Sequence, residues 1–573
     1  AMKVVSYIAY ILICSAIVFV SVRFTIGASF FPMHDDTQPG RVFEMAKVLK
    51  QGQIPPRWVP DLGYGYGYPI FQFYAPLPYI VGAVTHIVGV PLVSATNVMM
   101  FVGMALGFVT SLVLGVYLFG WVGGLVFATI YQYSPYHAIQ LYVRGAVGEI
   151  YAYGFLPLIV YGVWRSARRE KTRTTGIMWT VVGVSGMILS HTIYGYLSVG
   201  ALVVLVVAFL LYGMIARCKE IHTISISLLV SIALSLAMTS FFWLPAIAEK
   251  SATNVTKVVG IDSAELTDHF VCPSQFWQSP WGFGGSAKGC AEDGMSFKLG
   301  KLQIFGGILA SLLYAWHLYT QKNASKKQAH MSDTYRAPLL IGVIFTVCSL
   351  FFMLSVSAAV WNLIPMSSFV QYPWRLLPVT ALGLAFLCGV LVAMVPKRGV
   401  QYVVAAVFCI TVVYQGVFMF TPKYTYVPKD GIFSTESDLK WRVSKISDEY
   451  MPPGFIAPQY ETDISRAIIT SVSPFTVDSI RDKNTKSTIC VTMPATATVV
   501  IHKATFPGWR YWVDGKETKS TIIAGLPQIV VPEGSHCIEL VLTRTMVRLI
   551  GDVVSLLALI GGATYVITKK ANT

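Results

Sequence analysis

Long apolar stretches recur along the chain and are separated by short polar connections. Stretches such as 4–24, 98–119 and 193–214 are long enough for a helix to cross a hydrocarbon core, which takes about 20 residues. Their recurrence predicts a mostly α-helical, polytopic membrane protein with about twelve transmembrane helices. The predicted spans are 4–25, 94–118, 120–135, 149–165, 175–190, 193–214, 223–246, 301–320, 337–362, 375–395, 399–420 and 547–567.

Composition and charge agree with this class. Charged residues make up only 12% of the chain and hydrophobic residues 54%, whereas soluble domains carry about 25% charged residues. The net charge of +15 reflects basic clusters in short connections, which the positive-inside rule places in the cytoplasm. It therefore does not indicate nucleic acid as a partner. The densest cluster comprises Arg165, Arg168, Arg169, Lys171 and Arg173.

Placing these clusters inside predicts a multi-pass protein of the plasma membrane with both termini cytoplasmic. The apolar segment 76–90 is short for a span, and counting it as one would put the Arg165 cluster outside. We therefore interpret this segment as interfacial or re-entrant.

Three polar regions then lie outside, at about 28–75, 248–300 and 421–545. The last has short β-like runs separated by turn residues, and Asp514-Gly515 is a strong hairpin signal. The predicted organisation is a transmembrane domain, 1–420, with a functional first loop, 28–75. An external β-rich domain, 421–546, resembling a small sandwich, precedes a final helix and tail, 547–573.

The cysteines and motifs narrow the function classes. Cys272 and Cys290 share one external loop, and Cys490 and Cys537 share the β-rich domain, so each pair is a candidate disulfide. There is no CxxC, no zinc-ligand spacing, no P-loop, no GxGxxG and no GxSxG in the sequence. These patterns do not favour an ATPase, a dehydrogenase or a serine hydrolase.

The first external loop carries the most specific chemistry. Asp35 and Asp36 follow the first span directly, where a carboxylate can act as a general base or help hold a divalent cation, Mg²⁺ or Mn²⁺. The alternative is that they cap the following helix. Tyr64, Tyr66 and Tyr68 alternate with glycines, which suits a platform for sugar rings or isoprenoid chains, or an ordinary interfacial aromatic belt.

Several motifs together resemble a known family. The Asp-Asp pair, 53–58 (Gln-Ile-Pro-Pro-Arg-Trp), Tyr142-Val-Arg144-Gly145, Ser190-His191 and Gln371-Tyr372-Pro373-Trp374-Arg375 occur in this order. The chain resembles the bacterial "6-pyruvoyl-tetrahydropterin synthase-related" membrane-domain family and the YfhO-like branch of the GT-C glycosyltransferase superfamily. The resemblance extends over essentially the full length. No metal-binding His cluster or catalytic Cys supports the pterin-synthase part of the label.

The resemblance implies a membrane glycosyltransferase that uses a polyprenyl-phosphate sugar donor on the external face. Asp35 or Asp36 would deprotonate the acceptor hydroxyl for inverting attack, with or without a metal. The acceptor would be a glycan, a lipid or a protein of the cell envelope. Arginines would bind the donor phosphate, because their planar fork matches phosphate oxygens; the candidates are Arg41, Arg57, Arg144 and Arg375.

The predicted substrate-lining residues cluster at the same external face. They are His34, Gln38, Tyr64, Tyr66, Tyr68, Glu149, His191, Trp243, Glu249, Tyr372 and Trp374. Charged residues at membrane level are costly and tend to be functional or paired. The alternatives are structural ion pairs, Arg144 with Glu149 and Arg375 with Glu249, or arginines that snorkel. A histidine such as His191 is more often a helix-end hydrogen-bonder than a catalyst, and tryptophans such as Trp243 and Trp374 are more often packing or belt residues than sugar platforms.

Two other function classes stay open. A transporter or flippase for lipid-linked glycans would typically show an internal repeat, which the sequence lacks. A non-catalytic scaffold would tolerate substitution of Asp35 and Asp36, whereas an enzyme would not.

Overall fold

The computed structural model describes residues 2–168, 170–255, 266–320, 326–429 and 431–571. Within these ranges, ten helices are long and apolar enough to cross a membrane. The prediction of a mostly helical, polytopic membrane protein is confirmed. The α-helices are α1 Met2–Val22, α2 Gln38–Lys50, α3 Ile70–Phe73, α4 Leu77–Ile87, α5 Leu92–Gln132, α6 Pro135–Ala138, α7 Val147–Arg168, α8 Glu170–Ser190, α9 Thr192–Ala216, α10 Lys219–Met238, α11 Ser240–Ala248, α12 Pro273–Trp277, α13 Lys301–Thr320, α14 Lys326–Met353, α15 Ala358–Trp361, α16 Leu377–Ala393, α17 Arg398–Val417 and α18 Met546–Ala571.

Most spans follow the predicted stretches, but two predicted boundaries are wrong: span 223–246 is divided between α10 and α11, and span 337–362 runs past the end of α14 at Met353. Helix α5 is 41 residues long but is interrupted at Gly120, whose φ of 70° is non-helical, so it contains the two predicted spans 94–118 and 120–135. Helix α8 corresponds to the predicted span 175–190. Helix α4, at 11 residues, is too short to cross a membrane, as expected for segment 76–90.

Short 3₁₀ and π-helical turns connect these elements. The 3₁₀ turns are Arg23–Thr25, Lys250–Ala252, Leu266–His269, Ser355–Ser357, Ser367–Val370, Pro373–Leu376, Ser444–Ile446, Asp448–Tyr450 and Glu461–Asp463, and the π-helical turns are Ile139–Arg144 and Asp438–Val443. Two of them, Ile139–Arg144 and Pro373–Leu376, carry arginines of the candidate site.

The chain forms two compact units that alternate along the sequence. Unit 1 comprises 1–36, 97–232 and 263–427, and unit 2 comprises 37–96, 233–262 and 428–573. In unit 1, α7 and α16 are the most buried spans. Glycines let α7 and α8 pack closely, because a Cβ on Gly162 would lie 2.3 Å from the backbone N of Thr180. Small residues are the usual means of close helix packing in membranes.

Unit 2 contains the β-rich domain before the last helix, as predicted. The strands are β1 Ile469–Ser471, β2 Thr476–Lys483, β3 Lys486–Met493, β4 Ala497–Ile501, β5 Trp509–Val513, β6 Lys516–Thr518, β7 Thr521–Ile523, β8 Leu526–Val531 and β9 Gly534–Leu542. They form two antiparallel sheets of order β1-β4-β8-β7 and β2-β3-β9-β5-β6. Asp514 and Gly515 link β5 to β6 in a two-residue hairpin, both at positive φ, as the Asp-Gly signal predicts.

Both predicted disulfides are present. Cys272 is bonded to Cys290 and Cys490 to Cys537. The second pair lies at directly opposed positions of β3 and β9. The predicted pairing is therefore confirmed, and it is consistent with an oxidising compartment for both segments.

Candidate active site

A buried carboxylate lies at the centre of the polar cluster in unit 1. Glu149, in the first turn of α7, is 1% exposed. Its Oε2 accepts hydrogen bonds from Arg144 Nη1 at 2.6 Å and from the Tyr136 hydroxyl at 2.7 Å. Its Oε1 accepts from Arg375 Nε at 3.3 Å. A buried charge is costly unless it is paired and hydrogen-bonded, so this carboxylate is fully compensated and holds both arginines in place.

Arg144 is fixed from two sides. Glu149 and Tyr136 hold its Nη1, and the ring of Trp374 lies under the guanidinium, 4.7 Å from its central carbon. Aromatic rings attract cations at this distance. Within the described part of the chain, its Nη2 has no hydrogen-bond partner, and the side chain is 16% exposed. The residue therefore presents a pre-oriented cation with unused donors.

The backbone around Arg144 places Asp35 beside it. The π-helical turn Ile139–Arg144 ends at Gly145, which has a φ of +63° and leaves no room for a side chain, because an added Cβ would lie 2.1 Å from Met33 Sδ. The amide of His34 donates to the Val143 carbonyl at 3.0 Å, and the amide of Asp35 donates to the Arg144 carbonyl at 2.9 Å. Turns of this π type often occur at functional sites. The predicted base and a predicted phosphate-binding arginine are thus joined by backbone hydrogen bonds.

Asp35 is partly exposed and interacts with charged neighbours. Its Oδ1 lies 2.8 Å from His34 Nδ1, with side-chain exposures of 28% for the aspartate and 71% for the histidine. This hydrogen bond raises the pKa of His34 above its ordinary value. Burial lowers the pKa of Arg144, but Glu149, Tyr136 and Asp35 more than offset this, and the net shift is upward. Asp36 is half-buried next to Asp35.

Arg375 comes from the motif Tyr372-Pro373-Trp374-Arg375. Its Nη1 donates to the Val370 carbonyl and to Gln371 Oε1, both at 2.7 Å. Gln371 has a φ of +65°, a conformation that non-glycine residues rarely adopt and that recurs at functional sites. The rings of Tyr372 and Trp374 stack at 4.8 Å, and the Arg375 guanidinium lies 5.0 Å from the Tyr372 ring.

His191 completes the cluster. Its Nε2 lies 3.8 Å from Glu149 Oε1, and burial lowers its pKa to about 3, so the ring is neutral. Its Nδ1 is buried without a hydrogen-bond partner among the described residues. Gly148 makes this approach possible, because a Cβ there would lie 2.5 Å from the Ser190 carbonyl oxygen.

A metal at Asp35 and Asp36 stays a prediction. Among the described residues, no group of three or more His, Cys, Asp or Glu side chains is arranged to hold a metal ion. His34 is already hydrogen-bonded to Asp35. Mg²⁺ is commonly held by one or two carboxylates together with water and substrate phosphate oxygens, so the EDTA arm of the experiment below tests this prediction.

The remaining predicted residues lie in unit 2, where they have their own partners. Arg41 donates to Ser447 Oγ at 2.6 Å and to the Tyr79 hydroxyl at 3.4 Å, and its guanidinium lies 4.7 Å from the Tyr74 ring. The Tyr79 hydroxyl in turn donates to Gln38 Oε1 at 2.6 Å. Both predicted residues are therefore part of a buried network.

A second ion-pair chain in unit 2 includes Arg57 and Glu249. Arg57 Nη2 lies 2.7 Å from Asp552 Oδ1, and Glu249 accepts from Arg548 Nη2 at 2.8 Å and from Thr545 Oγ1 at 2.6 Å. The alternative pairing of Arg375 with Glu249 is wrong, because Arg375 pairs with Glu149. The alternative pairing of Arg144 with Glu149 is confirmed.

The aromatic-glycine run packs inside unit 2. Tyr64, Tyr66 and Tyr68 are 4%, 9% and 0% exposed. The Tyr64 ring stacks on Phe455 and the Tyr66 ring on His502. Trp243, also in this unit, donates its Nε1 to the Leu236 carbonyl at 2.8 Å. These contacts are those of packing residues, and a role in lining substrate stays a prediction for all four.

Sequence reasoning missed several partners in these networks. Tyr136, Tyr194 and Arg548 all bind predicted site residues, and the Tyr194 hydroxyl donates to the Arg375 carbonyl at 2.7 Å. Tyr136 lies in the Tyr-Ser-Pro-Tyr segment, eight residues before Arg144 and thirteen before Glu149, and this closeness along the chain was the available signal. Tyr194 and Arg548 carry no such signal, because their partners lie 181 and 299 residues away.

Residues 71–279 match the family model described as "6-pyruvoyl-tetrahydropterin synthase related domain; membrane protein". The predicted resemblance to this family is confirmed over that range, which includes Arg144, Glu149 and His191. No curated protein matches the chain.

Three of the solved structures similar to this chain are the following. Arabinofuranosyltransferase AftD from Mycobacteria is 13% identical, with a TM-score of 0.43, over 73% of this chain and 28% of its own. ArnT from Cupriavidus metallidurans, bound to undecaprenyl phosphate, is 13% identical, with a TM-score of 0.34, over 70% of this chain and 63% of its own. The Archaeoglobus fulgidus oligosaccharyltransferase is 12% identical, with a TM-score of 0.35, over 79% of this chain and 58% of its own. The chain thus spans less than two thirds of each, and likeness at this level carries no argument about activity.

Proposed function

We propose that the protein is a membrane glycosyltransferase that transfers a sugar from a polyprenyl-phosphate donor to an acceptor on the external face. The observation that carries the proposal is the attachment of Asp35 to Arg144. Two consecutive backbone hydrogen bonds, from the amides of His34 and Asp35, join the segment that carries Asp35 to the π-helical turn that ends at Arg144, whose side chain Glu149 holds in place. A base and a cation for a phosphate leaving group therefore come from two segments that backbone hydrogen bonds hold side by side.

In the proposed reaction, Asp35 or Asp36 accepts the proton of the acceptor hydroxyl. The hydroxyl oxygen attacks the anomeric carbon from the side opposite the phosphate, so the new glycosidic bond has inverted configuration. The bond between the anomeric carbon and the phosphate oxygen breaks, and its electron pair leaves with the polyprenyl phosphate. General bases of this kind typically contribute about 10²–10⁴-fold.

Arg144 and Arg375 stabilise the charge that develops on the departing phosphate. The Nη2 of Arg144 is unused within the described residues and is held beside an aromatic ring, which pre-orients it. Pre-oriented donors at a developing negative charge contribute strongly because they need no reorganisation. Glu149 is a positioning residue, since it touches the arginines and not the reacting atoms. Arg41 and Arg57 stay predictions as further phosphate ligands.

The experiment is sugar transfer by the purified full-length protein with a panel of polyprenyl-phosphate monosaccharides, with and without EDTA. The variants are D35N and D36N, and D478N is the matched control, because Asp478 is exposed on β2. Loss of transfer in D35N or D36N with D478N unchanged supports the proposal, and EDTA decides the metal question. No transfer or donor hydrolysis by folded wild type with any donor contradicts it and favours the non-catalytic scaffold.

A further inference from the structure

A groove with a basic and aromatic lining lies in unit 1, away from the residues of the candidate active site. Its volume is about 450 Å³, within the range of small-ligand pockets. The lining includes Tyr117 of α5, Arg165 and Arg168 of α7, and Thr334 of α14. No carboxylate of the described residues lines it. The groove therefore combines room for a head group with a positive charge that no carboxylate among its described lining residues compensates.

The groove lies at the ends of predicted membrane spans. Arg165 and Arg168 occupy the last turn of α7, and Thr334 lies in the N-terminal half of α14. Tyr117 lies three residues before the break of α5 at Gly120. By the positive-inside rule this end is cytoplasmic. The level corresponds to that of lipid head groups rather than to the hydrocarbon core.

The arginines are oriented by aromatic neighbours, and no carboxylate among the described side chains forms an ion pair with them. Arg165 Nη1 donates to the Tyr161 hydroxyl at 2.8 Å, and its guanidinium lies 5.8 Å from the Tyr117 ring. The Arg168 guanidinium lies 4.9 Å from the ring of Trp164. The Nε atoms of Arg165 and Arg173 are buried without a hydrogen-bond partner in the described chain. Charges that only set topology need not be folded into a groove in this way.

We infer that this groove binds the phosphate of an anionic glycerophospholipid of the cytoplasmic leaflet. Guanidinium groups bind phosphate oxygens with two parallel hydrogen bonds, and basic pockets between spanning helices recognise acidic lipid head groups. A quaternary ammonium head group is disfavoured, because guanidinium groups already face the Tyr117 and Trp164 rings. The net charge of the occupant is therefore negative.

The test measures lipid binding to the full-length protein in mild detergent by native mass spectrometry. Phosphatidylglycerol and phosphatidylcholine are titrated against wild type, R165Q/R168Q and the control K397Q/R398Q, which removes the same charge from an exposed connection. We expect phosphatidylglycerol to bind wild type and the control at least about tenfold more tightly than it binds R165Q/R168Q. Equal affinity for all three proteins, or equal loss in the control, overturns the inference.

Two further arms keep the result decisive. T334W fills the groove without changing the charge and should also weaken phosphatidylglycerol binding about tenfold, so it replaces R165Q/R168Q if that variant does not fold. Unchanged binding by T334W contradicts a site in the groove. Inorganic phosphate is the soluble competitor. Phosphate binding to wild type without phosphatidylglycerol binding would assign the groove to a free anion and overturn the lipid source.

Discussion

Glu149→Gln is the most informative perturbation of the polar cluster in unit 1. The carboxylate is 1% exposed and accepts hydrogen bonds from Arg144, Tyr136 and Arg375. Glutamine has the same shape but no charge. Its single side-chain oxygen can accept either from Arg144 and Tyr136 or from Arg375, and its amide NH₂ would face the guanidinium of the other arginine.

The expected cost follows from the contacts. Hydrogen bonds to charged groups contribute about 1.5–3 kcal/mol each, and removing one partner of a buried ion pair costs about 3–5 kcal/mol. Arg144 is 16% exposed and keeps its ring contact with Trp374, so solvent and the ring recover part of the loss. We therefore expect E149Q to lower the free energy of unfolding by about 3–5 kcal/mol.

The assay is denaturant or thermal unfolding of the full-length protein in detergent. The matched control is E517Q, because Glu517 is 56% exposed and forms only a surface pair with Arg510, which is worth about 0–1 kcal/mol. The double variant R144Q/E149Q should be less destabilised than the sum of its single variants. The buried ion-pair account is refuted if the free energy of unfolding of E149Q equals that of wild type or of E517Q. It is also refuted if the destabilisation of R144Q/E149Q equals the sum of the two single variants.

Three further predictions concern the same cluster. R375Q should slow sugar transfer about 10²–10³-fold, and R375K should fall between it and wild type, because lysine keeps the charge but not the fork; equal rates would exclude a role in charge stabilisation. The transfer rate should rise as pH passes through the pKa of His34, which is raised above its ordinary 6.5, because the neutral ring releases Asp35. H34Q should lose this rise in the pH–rate profile. If H34Q keeps it, the rise belongs to the titration of another group. The stabilising effect of that pair has the opposite sign: it is present below the ordinary pKa of His34 and is lost as pH rises through the raised value. G145A should lower the free energy of unfolding by about 1–3 kcal/mol, because the φ of residue 145 is +63° and a Cβ there would lie 2.1 Å from Met33 Sδ. Adding M33A to G145A should remove the clash but not the cost of the positive φ, so unfolding measurements should show partial recovery. Full recovery of stability would show that the positive φ costs nothing.

Much of the fold could be predicted because its signals are local. The apolar stretches, the basic connections, the Asp-Gly hairpin and both disulfides follow from short patterns of hydrophobicity, charge and turn residues. The break at Gly120 was also predictable, since two spans meet there without a polar loop. The short helix α4 agrees with the length argument for segment 76–90.

The site was predictable in its composition but not in its pairing. Arg144 and Glu149 are five residues apart, so their pairing follows from local geometry. Arg375 lies 226 residues from Glu149, and nothing in the sequence distinguishes Glu149 from Glu249 as its partner. The rings of Tyr64 and Tyr66 illustrate a second limit: alternating glycine and tyrosine suit an exposed platform, yet partners far along the chain, Phe455 and His502, bury them.

The central claim is that an aspartate next to the first span acts as the base of sugar transfer. The most direct measurement is the single-turnover transfer rate of wild type, D35N and D36N at saturating donor, with donor affinity measured separately. The account predicts that one of the two variants transfers about 10²–10⁴-fold more slowly while binding the donor with unchanged affinity. Wild-type rates in both variants, or a loss explained entirely by weaker donor binding, would contradict it.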